Sequence, residues 1–344
     1  MDFKLTITSF VLSLLAVALL KQYLSQHMLD IPNERSSHTK PTPRGGGLGF
    51  IVAFGAISVL SKLSGGIATA FPSNFAQLPH NQPANTNLLA LWLILTPLAL
   101  IGAVDDYKHV PASIRYLVQL AAAVMSVAFY GWFPLPGFSG LGILGIIMAI
   151  ALTVIGITAL INFYNFMDGL DGLVAGVTAV QLSFLAFYLN QPIFLLLAAA
   201  VLGFLWWNWS PAKIFMGDAG STVLGASVAI ALLNTNDPVK ACSALAVIFP
   251  LVGDAVYTLG RRLLRRENIF KAHRTHLYQR LQQAGWSHTQ VAVSYIMATG
   301  IIILAISTLG LIGSLLSLVG VVLAIATGEL YLTRIRSTSL QLNI

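Results

Sequence analysis

Apolar residues run through this chain in long blocks, separated by short polar connections. A helix crossing a lipid hydrocarbon core needs about 20 mostly apolar residues. About eleven runs meet or approach that length: 4–23, 46–64, 87–104, 113–132, 142–163, 172–189, 192–209, 220–234, 241–262, 289–310 and 312–333. The pattern predicts an all-α polytopic integral membrane protein forming a single transmembrane domain over 1–344. No soluble domain fits between the runs, and the longest connection, 263–288, is a basic loop. No internal repeat is evident. The first run has only Lys4 ahead of it and no small-x-small cleavage site behind it, so it reads as a retained helix rather than a signal peptide.

Composition agrees. The chain is 56% hydrophobic and 9% charged, with mean hydropathy +0.80, whereas soluble domains carry roughly 25% charged residues. The lone cysteine, Cys242, excludes an intrachain disulfide framework and a cysteine-rich metal site. Net charge is +7, and its placement matters more than its sum. Arg35, Lys40, Arg44, Lys108, Arg115, Lys213, the 261–280 bases, Arg334 and Arg336 fall in one set of connections. The alternate set carries Lys240 alone. The positive-inside rule makes the first set cytoplasmic. An odd helix count then places the N-terminus outside and the C-terminus in the cytoplasm. Asp30, Glu34, Asp105, Asp106, Asp168, Asp171, Asp218 and Glu267 follow the bases to the same side, so polar chemistry gathers on the cytoplasmic face. A transporter would instead place polar groups near the midplane. Asp254 and Glu329 are its candidates, and both lie toward the inner helix ends.

Four stretches carry the chemistry. In "VDDYKHV", Asp105 and Asp106 end the third helix. Adjacent carboxylates need a nearby cation or a proton, and a helix C-terminus disfavours anions. In "NFYNFMDGLDGL", Asp168 and Asp171 would share a face if the segment is helical, with Asn162 and Asn165 one turn apart. Such hard oxygens suit Mg²⁺, or Mn²⁺ in its place, with phosphate and water completing the shell. A capping role for one Asp is the simpler alternative. "IFMGDAGST" places Asp218 where a loop becomes the eighth helix, with Asn208 and Lys213 just upstream. A helix N-terminus is a ready phosphate site, though no P-loop pattern occurs. "RSSHTKPTPRGGGLGF" offers Arg44 and a glycine-rich rim between the first two helices.

In the last loop, Arg261, Arg262, Arg265 and Arg266 lie on one helical face, where meeting anionic lipid is the ordinary role. His273, His276 and Arg280 are spaced as one face of a further short helix, with Arg274 between them. Gly285 ends that helix, and "SHTQ" reads as a capping box for the next. Together these residues form an inventory for phosphoryl transfer: a divalent cation, cations for oxygen charge and groups that orient the nucleophile.

The ordered motifs "PTPRGGG", "DDYK", "NFYNFMDGLDGL", "FMGDAGST" and the histidine-bearing loop resemble the polyprenyl-phosphate N-acetylhexosamine-1-phosphate transferases of glycosyltransferase family 4. The resemblance covers roughly residues 28 to 285. It implies a bacterial inner-membrane enzyme of about ten or eleven helices. Such an enzyme moves a sugar 1-phosphate from a UDP-N-acetylhexosamine onto undecaprenyl phosphate and releases UMP. Its partners are those two substrates and the bilayer, without nucleic acid, and the resemblance allows a homodimer.

By motif, the resemblance gives Asp105 and Asp106 to the lipid phosphate, and Asp171 and Asp218 to Mg²⁺ with Asp168 beside them. It gives Asn165 and Asn208 to the nucleotide, and His273 and His276 to the diphosphate. Arg44, Asn162, Lys213 and Arg274 complete the expected substrate-binding set. The peptidoglycan branch, phospho-N-acetylmuramoyl-pentapeptide transferase, carries three consecutive histidines where this chain has "HRTHLYQRL". The loop looks closer to the branch that begins O-antigen chains. Direct attack by the lipid phosphate and a covalent intermediate on Asp105 or Asp106 both remain open at this level.

Overall fold

A computed structural model describes residues 3–32, 36–63, 87–235, 237–268, 271 and 273–342. Glu34, Arg35 and the stretch 64–86 lie outside the described residues. Each apolar run coincides with helix: α1 (Phe3–His27), α2 (Gly47–Leu63), α3 (Leu88–Tyr107), α4 (Ala112–Tyr130), α5 (Gly142–Met167), α6 (Leu173–Tyr188), α7 (Ile193–Asn208) and α8 (Gly217–Leu233) come first. The run 241–262 is divided into α9 (Pro238–Ala244), a 3-10 turn (Leu245–Ile248) and α10 (Phe249–Leu264), with Pro250 accommodated in the first turn of α10. A short α11 (Leu277–Gln283) precedes α12 (His288–Leu309) and α13 (Leu311–Leu342). Among the described residues, seven helical segments are long and apolar enough to cross a membrane, and α2, α6, α7 and α8 are shorter apolar helices. The chain is thus a mostly helical, multi-pass membrane protein.

Length separates inner helices from outer ones. α6 and α7 have 16 residues and α8 has 17, about 24–26 Å at 1.5 Å per residue. They form the buried centre: α8 is walled in by α3, α5, α2 and α6, and α7 by α1, α6 and α2. The longer α1, α5, α12 and α13 turn Leu, Ile and Val outward, as in Leu19, Ile143, Ile301 and Leu323, the surface that lipid covers.

Apolar chains gain little from burial in lipid, so small residues and polar links join the helices. The hydroxyls of Ser9 and Ser13 on α1 donate to the carbonyls of Leu196 and Ala200 on α7 at 2.7 and 2.6 Å. Gln181 accepts from the buried Tyr164 hydroxyl at 2.6 Å and donates to the Val247 carbonyl. Gly47 brings α2 against Gly220 of α8, so that a Cβ at either residue would strike the other backbone.

Candidate active site

The "PTPRGGG" and "IFMG" motifs are joined backbone to backbone. Phe215 N–H donates to the Pro43 carbonyl at 2.8 Å. Gly45 and Gly46 N–H groups both donate to the Phe215 carbonyl, and Gly47 N–H donates to Met216. A two-residue antiparallel pair, β1 (Leu29–Asp30) with β2 (Thr42–Pro43), ties the same segment to the end of α1. This zipper fixes Arg44. Its Nε lies 2.8 Å from Asp106 Oδ1, and its terminal nitrogen bonds Asp218. Arg115 on α4 bridges the remaining Asp218 oxygen at 3.1 Å and Asp105 at 2.7 Å. The cations required by the adjacent acids are therefore present, one for each.

The two acids face different ways. Asp105 accepts from Val110 N–H at 2.6 Å and from Arg115, closing the α3–α4 turn, and it does not line the cavity described below. Asp106 caps α8, accepting from Asp218 N–H at 2.9 Å and Ala219 N–H at 3.4 Å. Gly217 permits that approach: its φ is +78°, and a Cβ there would run into the Asp106 carboxylate.

Asp168 and Asp171 are not on one helical face. α5 ends at Met167, residues 168–172 form a non-helical turn, and Gly172, in the left-handed region at φ +72°, is the N-cap of α6. The glycines at 169 and 172 break the helix that the spacing suggests. Neither Asp caps α6. The turn is tied down instead: Gly172 N–H donates to Asn208 Oδ1 at 3.0 Å, and Asn208 Nδ2 donates to the Ile214 carbonyl at 3.0 Å. Asp171 Oδ2 accepts from Ala212 N–H at 3.1 Å and lies 3.2 Å from His288 Nδ1. These contacts outweigh burial and hold the Asp171 carboxyl below the usual range. Asp168 has the opposite environment. Burial, together with the Asp218, Asp106 and Asp171 charges, overcomes the pull of Arg44 and pushes it up to about 7.

A cavity of about 570 Å³ opens at this end of the bundle. Asp106, Asp168, Asp171 and Asp218 line it with Arg44, Asn165 and Asn208. Its other wall carries Asp30, Ser36, Ser37 and His38 from the α1–α2 connection, with Gln279 and His288 from the C-terminal part. His288 was not singled out from the sequence. It is the first residue of α12, where only the capping box of Ser287 and Gln290 was legible; that box is present. Nothing in its local pattern distinguishes it.

The remaining expected residues lie elsewhere. Asn162 donates to Gln119 and to the Thr158 carbonyl, a link between α4 and α5. Lys213 stands over the Trp207 ring, 5.5 Å from its centroid. Arg274 reaches Ser37 Oγ and Gln282, both at 3.3 Å. His273 and His276 precede α11, so they do not share a helical face with Arg280. His276 is the N-cap, buried with its ring 4.9 Å from that of His273. Burial, helped by His276, Arg262 and Arg261, pulls His273 down to about 4. Neither histidine lines the cavity. Arg280 pairs with Glu329.

The four arginines divide as well. Arg261 donates to the Thr275 carbonyl, and the buried Arg262 donates to the Asn268 carbonyl and pairs with Glu267 at 2.8 Å. Arg265 and Arg266 are exposed. Arg265→Gln is expected to leave turnover within about twofold, as for most surface changes. Arg262→Gln should lower the thermal midpoint measurably, because it removes bonds that close the loop. Parallel thermal-shift and turnover assays check both.

Among the described residues no three His, Cys, Asp or Glu side chains close into a ready-made metal cage. The donor chemistry nevertheless fits Mg²⁺, which binds through one or two carboxylates and completes its shell with water and phosphate. Five aspartates and Arg44 line the cavity.

Similarity to known proteins agrees with this inventory. Residues 88–236 match the family model for Glycosyl transferase family 4. A Bacillus subtilis protein named as a probable undecaprenyl-phosphate N-acetylglucosaminyl 1-phosphate transferase is 29% identical over 313 residues, covering 85% of this chain and 81% of its own. A Mycobacterium tuberculosis decaprenyl-phosphate N-acetylglucosaminephosphotransferase is 28% identical, covering 79% and 73%. The phospho-N-acetylmuramoyl-pentapeptide-transferase of Deinococcus radiodurans is 30% identical over 279 residues, covering 76% and 82%. With the motifs in order and their acids gathered at one cavity, the chain belongs to glycosyl transferase family 4, the membrane phosphotransferases that act on polyprenyl phosphates.

Proposed function

We propose that this protein transfers an N-acetylhexosamine 1-phosphate from a UDP-sugar to undecaprenyl phosphate on the cytoplasmic face of the bacterial inner membrane, initiating a cell-surface polysaccharide such as O-antigen. The observation that carries this reading is the cavity itself: four aspartates from three separate motifs, with Arg44 among them, at the end of helices too short to reach the full ~30 Å of the hydrocarbon core. In this reading the lipid phosphate reaches the cavity from the membrane and the nucleotide sugar reaches it from the cytosol.

In this reading Asp171 and Asp218 hold Mg²⁺, which when bound neutralises diphosphate charge and orients it. Arg44 takes part of the oxygen charge, and Asn165 faces the nucleotide, while Asn208 holds the turn that presents Asp171. A phosphate oxygen of the lipid attacks the phosphorus that bears the sugar. The bond to the UMP oxygen breaks, and its electron pair leaves with UMP. Positioning and charge neutralisation are sufficient for this displacement. His273 and His276 then act from behind the cavity wall.

The similarity to the Deinococcus radiodurans enzyme favours a second donor, UDP-N-acetylmuramoyl-pentapeptide, with the same chemistry. Purified protein is supplied with undecaprenyl phosphate, Mg²⁺ and a panel of UDP-sugars that includes this one, and the released nucleotide is identified. UMP, dependent on lipid and metal, is the expected product, and its donor names the sugar. UDP would mean that the sugar alone moved, and the proposal would fall. A transporter reading loses its support from Asp254 and Glu329, since neither lines the cavity and both are held in internal pairs.

A further inference from the structure

Among the buried charges that the mechanism above does not use is a carboxylate. Asp254 on α10 is 1% exposed, yet it is a carboxylate inside a membrane bundle, where such groups are costly and retained for a purpose. Its two oxygens take four donors. Oδ1 accepts from Leu277 N–H at 2.8 Å and the Thr258 hydroxyl at 3.0 Å. Oδ2 accepts from Tyr278 N–H at 3.0 Å and the Tyr295 hydroxyl at 2.7 Å. The His276 ring stands 3.6 Å away. Asp254 therefore fixes the first turn of α11 to α10 and α12 together.

What α11 does with that anchorage is visible at its other contacts. The Tyr278 hydroxyl donates to the Phe166 carbonyl at 3.1 Å, the last turn of α5. It also lies against Gly169, where a Cβ would collide with it. The neighbouring Gln279 lines the cavity beside Gly169. The turn 168–171 therefore rests on α11, and α11 rests on Asp254.

We propose that Asp254 is a positioning residue for the catalytic cavity: by fixing the start of α11 it makes Tyr278 and Gln279 a rigid backing for the turn that presents Asp168 and Asp171. His276 belongs to this support, flanking the same carboxylate, rather than to the surface that touches substrate. The inference builds on the proposed transfer reaction for its kinetic arm only.

The test uses full-length protein in lipid nanodiscs and two variants. Asp254→Asn replaces one acceptor oxygen by an amide that faces two donors. Tyr278→Phe keeps the ring and removes only the hydroxyl. Backbone amide exchange is followed by mass spectrometry over 165–173, where Asp168, Gly169 and Gly172 N–H groups are all hydrogen-bonded. In both variants exchange in this segment should rise about tenfold or more, while amides of the buried α8 keep their protection. The KM for the UDP-sugar should rise at the same time, which a mere loss of folded protein would not cause. Wild-type exchange over 165–173 in Tyr278→Phe, or acceleration spread evenly over the bundle in both variants, would overturn the proposal. Should the wild-type protein show no transfer at all, the transferase reading fails and the exchange result still decides this one.

Discussion

Asp218→Asn should abolish sugar-phosphate transfer while the protein still inserts and folds, and Asp171→Asn should do the same. Each change removes one charge and keeps the size. In Asp218 the lost charge is the one that Arg44 and Arg115 both address. In Asp171 it is the partner of His288. Neither carboxylate can be replaced from its surroundings, because Asp106 is occupied in capping α8 and Asp168 stands in a region crowded with like charge. Losing a preorganised electrostatic group of this kind costs on the order of 10²–10³ in rate, and a lost metal ligand costs more. Turnover at saturating Mg²⁺, measured beside the thermal midpoint of each variant, checks this. Substantial activity in both variants would remove the metal assignment.

Arg44→Lys is the second variant with a large expected effect, although it conserves charge. Arg44 uses two different nitrogens on two different acids, Nε on Asp106 and a terminal nitrogen on Asp218. A lysine ammonium is a point charge and cannot span that fork. One acid is then left without its partner in a cavity already rich in aspartates. Breaking a buried pair costs about 3–5 kcal/mol, less here because the Arg44 side chain is 31% exposed. The junction of "PRGGG" with "FMGD" should loosen, so transfer should fall about 100-fold or more, with a lowered thermal midpoint. Retention of wild-type turnover would show that the fork is dispensable.

The helices were legible because their signal is local. A run of about 20 apolar residues has few alternatives to a buried helix, and each of the marked runs is helical. The gathering of acids at one end was legible too, since every second connection of a multi-pass chain returns to the same side. The Ser287 capping box and the place of Asp218 in the first turn of α8 were equally readable, being fixed by residues three or four apart. Asp168 and Asp171 would share a face only if their segment were helical; two glycines and the bridge from Gly172 to Asn208, 36 residues away, hold it as a turn. The face drawn through His273, His276 and Arg280 failed because α11 begins only at Leu277, where Asp254 supplies the acceptor for its first N–H.

By itself, then, the sequence determined a multi-pass helical protein, the gathering of its polar chemistry at one end of the helices, and the ordered motifs of its family. The tertiary structure alone decided which members of those motifs meet. It separated Asp105 from Asp106, turned Asn162, Lys213 and Arg274 to packing and loop contacts, and placed His273 and His276 behind the cavity. It also brought His288 to Asp171. The physical reason is range: hydropathy and helix capping act within a few residues, whereas a carboxylate's role depends on donors and charges that arrive from helices 100 or more positions away, as Arg115 and His288 do for Asp218 and Asp171.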